Sequence, residues 1–165
     1  MLKAGETLAA CDRVGPDAHV LGRPVVVNEG RIEIGSGFVL TSIPLCTHLV
    51  TGPLGRLRIG DRVYVAHGVS ISVHAQVVIG DDVVIGPFAM ILDSDYHGVS
   101  DRDSQGPPRP IHIGNGVRIG AGVVVLRGSV IGDGAVIEPN SVVSRYVPPG
   151  SAARGVPARP LHGRR

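Results

Sequence analysis

The chain has 165 residues, the length of a single domain, and a net charge of +2. This charge is too small to indicate nucleic-acid binding, two cysteines cannot build a disulfide framework, and no apolar stretch reaches the 18 residues of a membrane span. Although 24 glycines and 13 prolines suggest disorder, a composition of 43% hydrophobic and only 18% charged residues excludes it. No signal-peptide pattern is present, so we expect one soluble, cytoplasmic domain over residues 1–165.

The N-terminal part of the chain shows the least regular pattern. We expect residues 1–30 to act as a cap that protects one end of a fold built from stacked repeats, with a short helix over Met1–Val14. The first apolar residues that hint at such a repeat are Ile32, Ile34, Leu40 and Cys46.

From Ile59 onward, branched apolar residues recur six positions apart, with one slip of two residues before Ile79 and one long gap after Ile91. The set is Ile59, Val65, Ile71, Ile79, Ile85, Ile91, Ile113, Ile119, Val125, Ile131, Ile137 and Val143. Glycine follows directly at Gly60, Gly80, Gly86, Gly114, Gly120 and Gly132.

A period of six matches neither a helix nor the alternation of a simple strand. It matches a short strand with one inward apolar residue, followed by a turn in which Gly supplies the permissive backbone. Three such sides form a triangular coil of about 18 residues, and stacked coils pair their strands in parallel. We therefore predict an all-β fold, a parallel β-helix over residues 31–147, and roughly six coils fit the chain. A β-sandwich is the alternative, but it has no reason to keep a six-residue register.

The repeat stops after Leu92, where Asp93, Asp95, Tyr96 and His97 follow. The pattern resumes at Ile111, so we expect residues 94–110 to form one protruding loop. A solenoid usually ejects a long loop on its working face.

With this loop, the chain resembles the hexapeptide-repeat acyltransferases, and in particular their acetyl-CoA-dependent branch of galactoside, maltose and nodulation-factor acetyltransferases. Four segments carry the resemblance: the Ile-Gly-Asp repeats, residues 91–97 (ILDSDYH), residues 113–128 (IGNGVRIGAGVVVLRG) and residues 141–159 (SVVSRYVPPGSAARGVPAR). The resemblance implies a left-handed coil and a homotrimer with three active sites in the clefts between subunits. It also implies acetyl transfer from acetyl-CoA to a hydroxyl or amine, without a metal.

His97 matches the loop histidine of that family, which implies that it acts as the general base. A neutral alcohol is a poor nucleophile at pH 7, and imidazole has a suitable pKa for removing its proton. Asp95 and Asp93 are the local candidates for orienting the imidazole, because alternate residues of an extended segment share one side. Each Asp has turn formation as its alternative role.

His67 and Tyr96 are the predicted contacts to the acceptor. The galactoside branch has an Asn about 30 residues before its histidine, but this chain has Ala66 and His67 in that region. This difference argues against a galactoside as the substrate. We expect a small-molecule acceptor, most simply a sugar hydroxyl, and the sequence does not distinguish sugars, amino sugars, polysaccharide units and antibiotics.

The resemblance also implies a coenzyme A site. Backbone groups of Gly120, Ala121, Gly122 and Gly128 would hold the pantetheine arm, and Arg127, Arg145 and Arg159 would meet the phosphates. Arg127 stands where the family commonly has Lys, and a guanidinium suits phosphate geometry. Residues 139–165 carry five Arg and no Asp or Glu, so the expected C-terminal extension, residues 148–165, is either a phosphate-binding end or a solvated basic tail.

Three alternatives remain from the sequence. A γ-type carbonic anhydrase shares the coil but needs three His around zinc, and no close His pair follows the first His here. A non-catalytic solenoid scaffold has no need for a loop that ends the repeat at an Asp-rich His segment. An acyl-carrier protein could replace CoA as the donor.

Overall fold

The computed structural model describes residues 4–95 and 106–161. In these ranges the chain forms one short helix, α1 (Ala4–Thr7), and 21 strands. The strands of the first face are β1 (Arg13–Val14), β4 (Arg31–Ile34), β7 (Arg56–Ile59), β10 (Gln76–Ile79), β13 (Ile111–Ile113), β16 (Val130–Ile131) and β19 (Tyr146–Val147). The second face contains β2 (His19–Gly22), β5 (Val39–Ser42), β8 (Tyr64–Val65), β11 (Val84–Ile85), β14 (Arg118–Ile119), β17 (Val136–Ile137), β20 (Ala152–Gly155) and β21 (Ala158–Pro160). The third face contains β3 (Val25–Asn28), β6 (His48–Thr51), β9 (Ser70–Val73), β12 (Met90–Leu92), β15 (Val124–Val125) and β18 (Val142–Val143).

Each coil places one strand on each face, and like strands of successive coils pair in parallel. The described chain makes about seven coils, the last of which ends with β19 and β20, and β21 folds back antiparallel on β20. The predicted parallel β-helix is confirmed, while its hand stays a prediction. The first coil, β1 to β3, lies within residues 1–30, which we expected to form a cap. Its inward residue Val20 is followed by Leu rather than Gly, so this coil does not show the repeat in sequence.

The core consists of inward ladders of Val and Ile. On the first face, Ile34, Ile59, Ile79, Ile113 and Ile131 are stacked in register, and each is at most 2% exposed. Branched side chains fit this pleated interior, so the fold needs few aromatic residues. Leu8 closes the N-terminal end of the core.

A ladder of side-chain caps runs along the corner between the first and second faces. One carboxylate or amide oxygen of each coil accepts a hydrogen bond from the backbone N–H of the corner residue in the preceding coil, with distances of 2.7–2.8 Å; the acceptors are Asp61, Asp81, Asn115 and Asp133. The residue before each corner residue must lack a side chain, because the capping oxygen of the following coil fills the space. A Cβ on Gly60, for example, would lie 2.3 Å from Asp81 Oδ1. This packing is the physical reason for the Ile-Gly-Asp repeat.

Replacing Asp81 with Ala is expected to lower the free energy of unfolding by about 1–3 kcal/mol, because the partly buried Asp61 N–H loses its acceptor. Chemical denaturation measures this change. Asp81→Asn is the matched control, since it keeps Oδ1 and should cost less than half as much. Equal losses in the two variants would contradict the cap.

Candidate active site

Two edges of the solenoid carry the candidate site residues, and they flank the third face. The loop edge, between the third and first faces, consists of the described residues 29–30, 52–55, 74–75, 93–95, 106–110, 126–129 and 144–145. The far edge, between the second and third faces, consists of residues 23–24, 43–47, 66–69, 86–89, 120–123 and 138–141. His97 and Tyr96 belong to the loop edge by sequence but lie outside the described residues.

Asp93 begins the loop and is completely buried. Its Oδ1 accepts a hydrogen bond from the His74 N–H at 2.8 Å, and its Oδ2 accepts one from the Ala75 N–H at 2.7 Å. Its carbonyl accepts the Arg109 N–H at 2.9 Å, which joins the outgoing and returning parts of the loop. These contacts support the turn-forming role of Asp93, and its orienting role toward His97 stays a prediction.

Asp95 has different surroundings, since its carboxylate forms an ion pair with Arg127 of the following coil. Asp93 and Asp95 therefore point in opposite directions along the solenoid, one to the preceding coil and one to the following coil. We expected an extended segment that puts both on one side. The strand ends at Leu92 instead, and the backbone bends through the next two residues.

Arg127 binds both ends of the loop. Its Nε contacts Asp95, and its Nη1 donates a hydrogen bond to the Pro107 carbonyl at 3.0 Å. The adjacent Gly128 has a φ of 76° and donates its N–H to the Arg109 carbonyl at 3.2 Å. The guanidinium that we expected to meet CoA phosphates is thus engaged with the loop. Sequence spacing did not reveal these partners, because Asp95 and Pro107 belong to the segment that interrupts the repeat.

The two other candidate phosphate ligands are exposed. Since Val125 pairs with Val143, Arg145 lies on the loop edge one coil beyond Arg127. Arg159 is on β21, opposite Arg154 of β20. Neither the Arg145 nor the Arg159 guanidinium contacts a partner within the described part of the chain, so both are accessible to an anionic ligand.

His67 and the segment Gly120, Ala121 and Gly122 lie on the far edge. The His67 ring packs edge-on against Phe88, with a centroid distance of 5.2 Å and an angle of 88°, and its buried Nδ1 makes no hydrogen bond with described residues. The N–H groups of Gly120 and Gly122 donate to Ile137 and Pro87 carbonyls at 2.8 Å. The Ala121 N–H donates to no described residue, so it is the amide of this segment that an incoming ligand can use.

One chain does not bring the two groups of residues together. The third face separates the edges by roughly 13 Å, the length of its four-residue strands. His67 and His74 also lie on different edges, and no three His, Cys, Asp or Glu side chains come together within residues 4–95 and 106–161. In the same ranges, no helix has the length and apolar character needed to cross a membrane.

Comparisons with known proteins place these features in context. The protein-family model described as bacterial transferase hexapeptide (six repeats) matches residues 110–145. No curated protein matches the chain in sequence.

Several solved structures share the fold over almost the whole chain. A hexapeptide-repeat-containing acetyltransferase from Vibrio cholerae is 26% identical, with coverage of 98% of this chain and 81% of the other and a TM-score of 0.70; it is also solved with acetyl coenzyme A. A galactoside acetyltransferase in complex with coenzyme A is 28% identical, with coverage of 94% and 66% and a TM-score of 0.67. A variant of AntD, an N-acyltransferase from Bacillus cereus in complex with dTDP and coenzyme A, is 18% identical, with coverage of 99% and 91% and a TM-score of 0.82, which is a likeness of fold. The chain is therefore a hexapeptide-repeat β-solenoid with the architecture of these acyltransferases.

Proposed function

We propose that this protein transfers the acetyl group of acetyl-CoA to a hydroxyl or amine of a sugar or a sugar-containing small molecule, with His97 as the general base. One observation carries the proposal: the alignment, over 94–98% of the chain, with acetyltransferases that are solved with acetyl coenzyme A or coenzyme A. The interruption of the repeat at the segment that contains His97 supports it.

The chemistry follows from the weakness of the nucleophile. As the acceptor oxygen or nitrogen attacks the thioester carbonyl, His97 removes its proton and the tetrahedral intermediate forms. Collapse of the intermediate breaks the C–S bond, and the histidine returns the proton to the departing thiolate. Asp95 precedes His97 by two residues and forms an ion pair with Arg127.

Coenzyme A would use two kinds of groups that the chain leaves accessible. The Ala121 N–H is suited to an amide carbonyl of the pantetheine arm, since the flanking Gly120 and Gly122 N–H groups are already bonded within the solenoid. Arg145 and Arg159 are suited to the phosphates, because a guanidinium can donate two parallel hydrogen bonds to an anion.

We propose a homotrimer as the active form. The outward side chains of the third face are mostly apolar, and only His48, Ser70 and Ser72 of its described strands are polar. The apolar ones are Val25, Val27, Val50, Met90, Leu92, Val124 and Val142. A face of this kind is typical of a subunit interface. Packing of copies around it would bring the loop edge of one protomer beside the far edge of its neighbour, which would complete the site.

A thiol-release assay with acetyl-CoA and a panel of sugars, amino sugars and antibiotics tests the function, and light scattering of the same sample tests the trimer. We expect release of CoA with at least one acceptor and a mass three times that of the chain. Absence of thiol release, together with no heat on titration with CoA, would favour a scaffold and overturn the proposal.

Replacing Arg159 with Ala is expected to raise KM for acetyl-CoA by about tenfold and to change kcat little, because a charge-assisted phosphate contact is lost. Steady-state kinetics at varied acetyl-CoA measures this. Arg154→Ala is the matched control, since Arg154 lies opposite Arg159 but is 3.9 Å from the Glu138 carboxylate. If the KM for acetyl-CoA is unchanged in Arg159→Ala, the phosphate contact is to be assigned to Arg145 or Arg127 instead.

A further inference from the structure

An open groove of about 550 Å³ lies on the first face, beside the loop edge and N-terminal to the loop. Its polar lining comes from Arg31, Arg56, Arg58, Glu33 and Gln76. Its remaining lining comes from Gly30, Pro53, Leu54, Gly55 and Leu57. None of the arginines was singled out in the sequence, because they belong to two different coils that only the strand register relates.

The arginines are concentrated by the strand register. Arg31 pairs directly with Arg56, and Arg56 pairs with Gln76, so two cations stand side by side on neighbouring strands about 4.8 Å apart. Arg58 lies beside Glu33 in the adjacent row. Like charges directly opposite each other on neighbouring strands repel, and a bound anion would relieve this repulsion.

The groove has a single carboxylate, that of Glu33, which cannot neutralise its three arginines. Glu33 accepts a hydrogen bond from Arg31 at 2.9 Å, and the pKa of Glu33 is lowered by that bond and by the charges of Arg31, Arg13 and Arg58. The guanidinium groups of Arg56 and Arg58 make no hydrogen bond or ion pair with a residue that the structure describes. The groove therefore presents the exposed Arg56 and Arg58 guanidinium groups, neither of them held in a hydrogen bond by a described residue, together with the exposed Gln76 side chain.

The groove reaches the loop through the same register. Because Val77 pairs with Ile111, Gln76 lies beside Pro110, the last residue of the loop. The backbone of Arg56 is thus two strand spacings, about 10 Å, from the returning end of the loop. On the outgoing side, Asp93 caps the N–H of Ala75, the residue before Gln76. A sugar whose acceptor group lies at the loop can therefore extend a substituent into the groove.

We infer that this groove binds an anionic group, a phosphate or a carboxylate, that is carried by the acceptor. Arg56 and Arg58 supply planar paired donors for such a group, Gln76 adds an amide donor, and Leu54, which is 84% exposed, offers an apolar wall. The identification of this ligand as the acceptor rests on the proposed acetyl transfer, while the anion site itself does not.

Calorimetric titration without acetyl-CoA tests the anion site. Inorganic pyrophosphate, glucuronate and glucose are the probes, and they separate a phosphate, a carboxylate and a neutral sugar. We expect binding of at least one charged probe that weakens with added salt, no binding of glucose, and at least about a tenfold loss of affinity in the Arg56→Gln/Arg58→Gln variant. Arg23→Gln is the matched control, because Arg23 is exposed at the far edge and does not line the groove. Binding of neither charged probe, or equal losses in the control and the double variant, would overturn the inference; thermal melting verifies that each variant is folded.

Acetyl transfer to charged and neutral acceptors separates this inference from the proposed function. We expect the double variant to raise KM for an anionic acceptor at least about tenfold, with kcat and the KM for acetyl-CoA nearly unchanged. If the arginine-dependent anion site is present but no acceptor is acetylated, the proposed function fails and the site stands. If transfer occurs with the same KM in the wild type and the double variant, the groove does not hold the acceptor, and the proposed function stands.

Discussion

Replacing His97 with Ala is expected to lower kcat/KM for acetyl transfer at least about 100-fold, the range over which a general base contributes. The loss arises because the acceptor hydroxyl must then attack the thioester without a group that takes its proton. Binding of acetyl-CoA should be retained, since the groups proposed for the coenzyme lie elsewhere on the solenoid. The measurement is steady-state thiol release combined with titration of CoA.

His112 offers a matched control for this experiment. It is exposed on β13, two residues after Pro110, and has no proposed role in the reaction. His112→Ala should therefore keep kcat/KM within about twofold of the wild type. A decrease of less than about fivefold in folded His97→Ala would remove His97 from the mechanism.

Replacing Asp93 with Ala is expected to lower the free energy of unfolding by about 3 kcal/mol, which corresponds to a decrease in Tm of roughly 6–12 °C. The side chain is completely buried, and its two oxygens bind the N–H groups of His74 and Ala75. Without the carboxylate, two partly buried backbone N–H groups of the preceding coil lose their acceptors. Thermal melting and chemical denaturation measure the loss.

Asp93→Asn distinguishes the structural role of Asp93 from an orienting role toward His97. The amide keeps one acceptor oxygen and places a donor against the second N–H, so a structural role predicts a loss of stability close to that of the Ala variant. An orienting role predicts a large decrease in kcat with little change in Tm. The second result would contradict the assignment of Asp93 to the turn.

The arrangement of the candidate residues has a consequence for assembly. His67 and Ala121 lie on the far edge, whereas Asp95, Arg127 and Arg145 lie on the loop edge. In one chain the candidate residues therefore form two separate groups, and the proposed trimer would bring them together. The proposed anion groove differs in this respect, since its residues and the ends of the loop all belong to one chain.

The six-residue period determined the architecture by itself. An inward Ile or Val every six residues predicts one short strand per side, and stacked coils place these residues in ladders such as Ile79, Ile113 and Ile131. The interruption after Leu92 could also be recognised in the sequence, because a loop has no side chains in the core and therefore lacks the six-residue apolar pattern. A local repeat can be recognised without tertiary structure, since every coil packs against a copy of its own pattern.

The tertiary structure decided which side chains meet. Along this corner, each capping residue lies 25, 20, 34 and then 18 residues after the residue whose N–H it binds, so only the last spacing equals three regular repeats. The pairing of Arg31 with Arg56 and the contact of Arg127 with Asp95 follow from these unequal coil lengths. Corners and loops absorb insertions without disturbing the inward ladders, and for that reason the sequence determined the solenoid while the register between coils determined the groove and the surroundings of the loop.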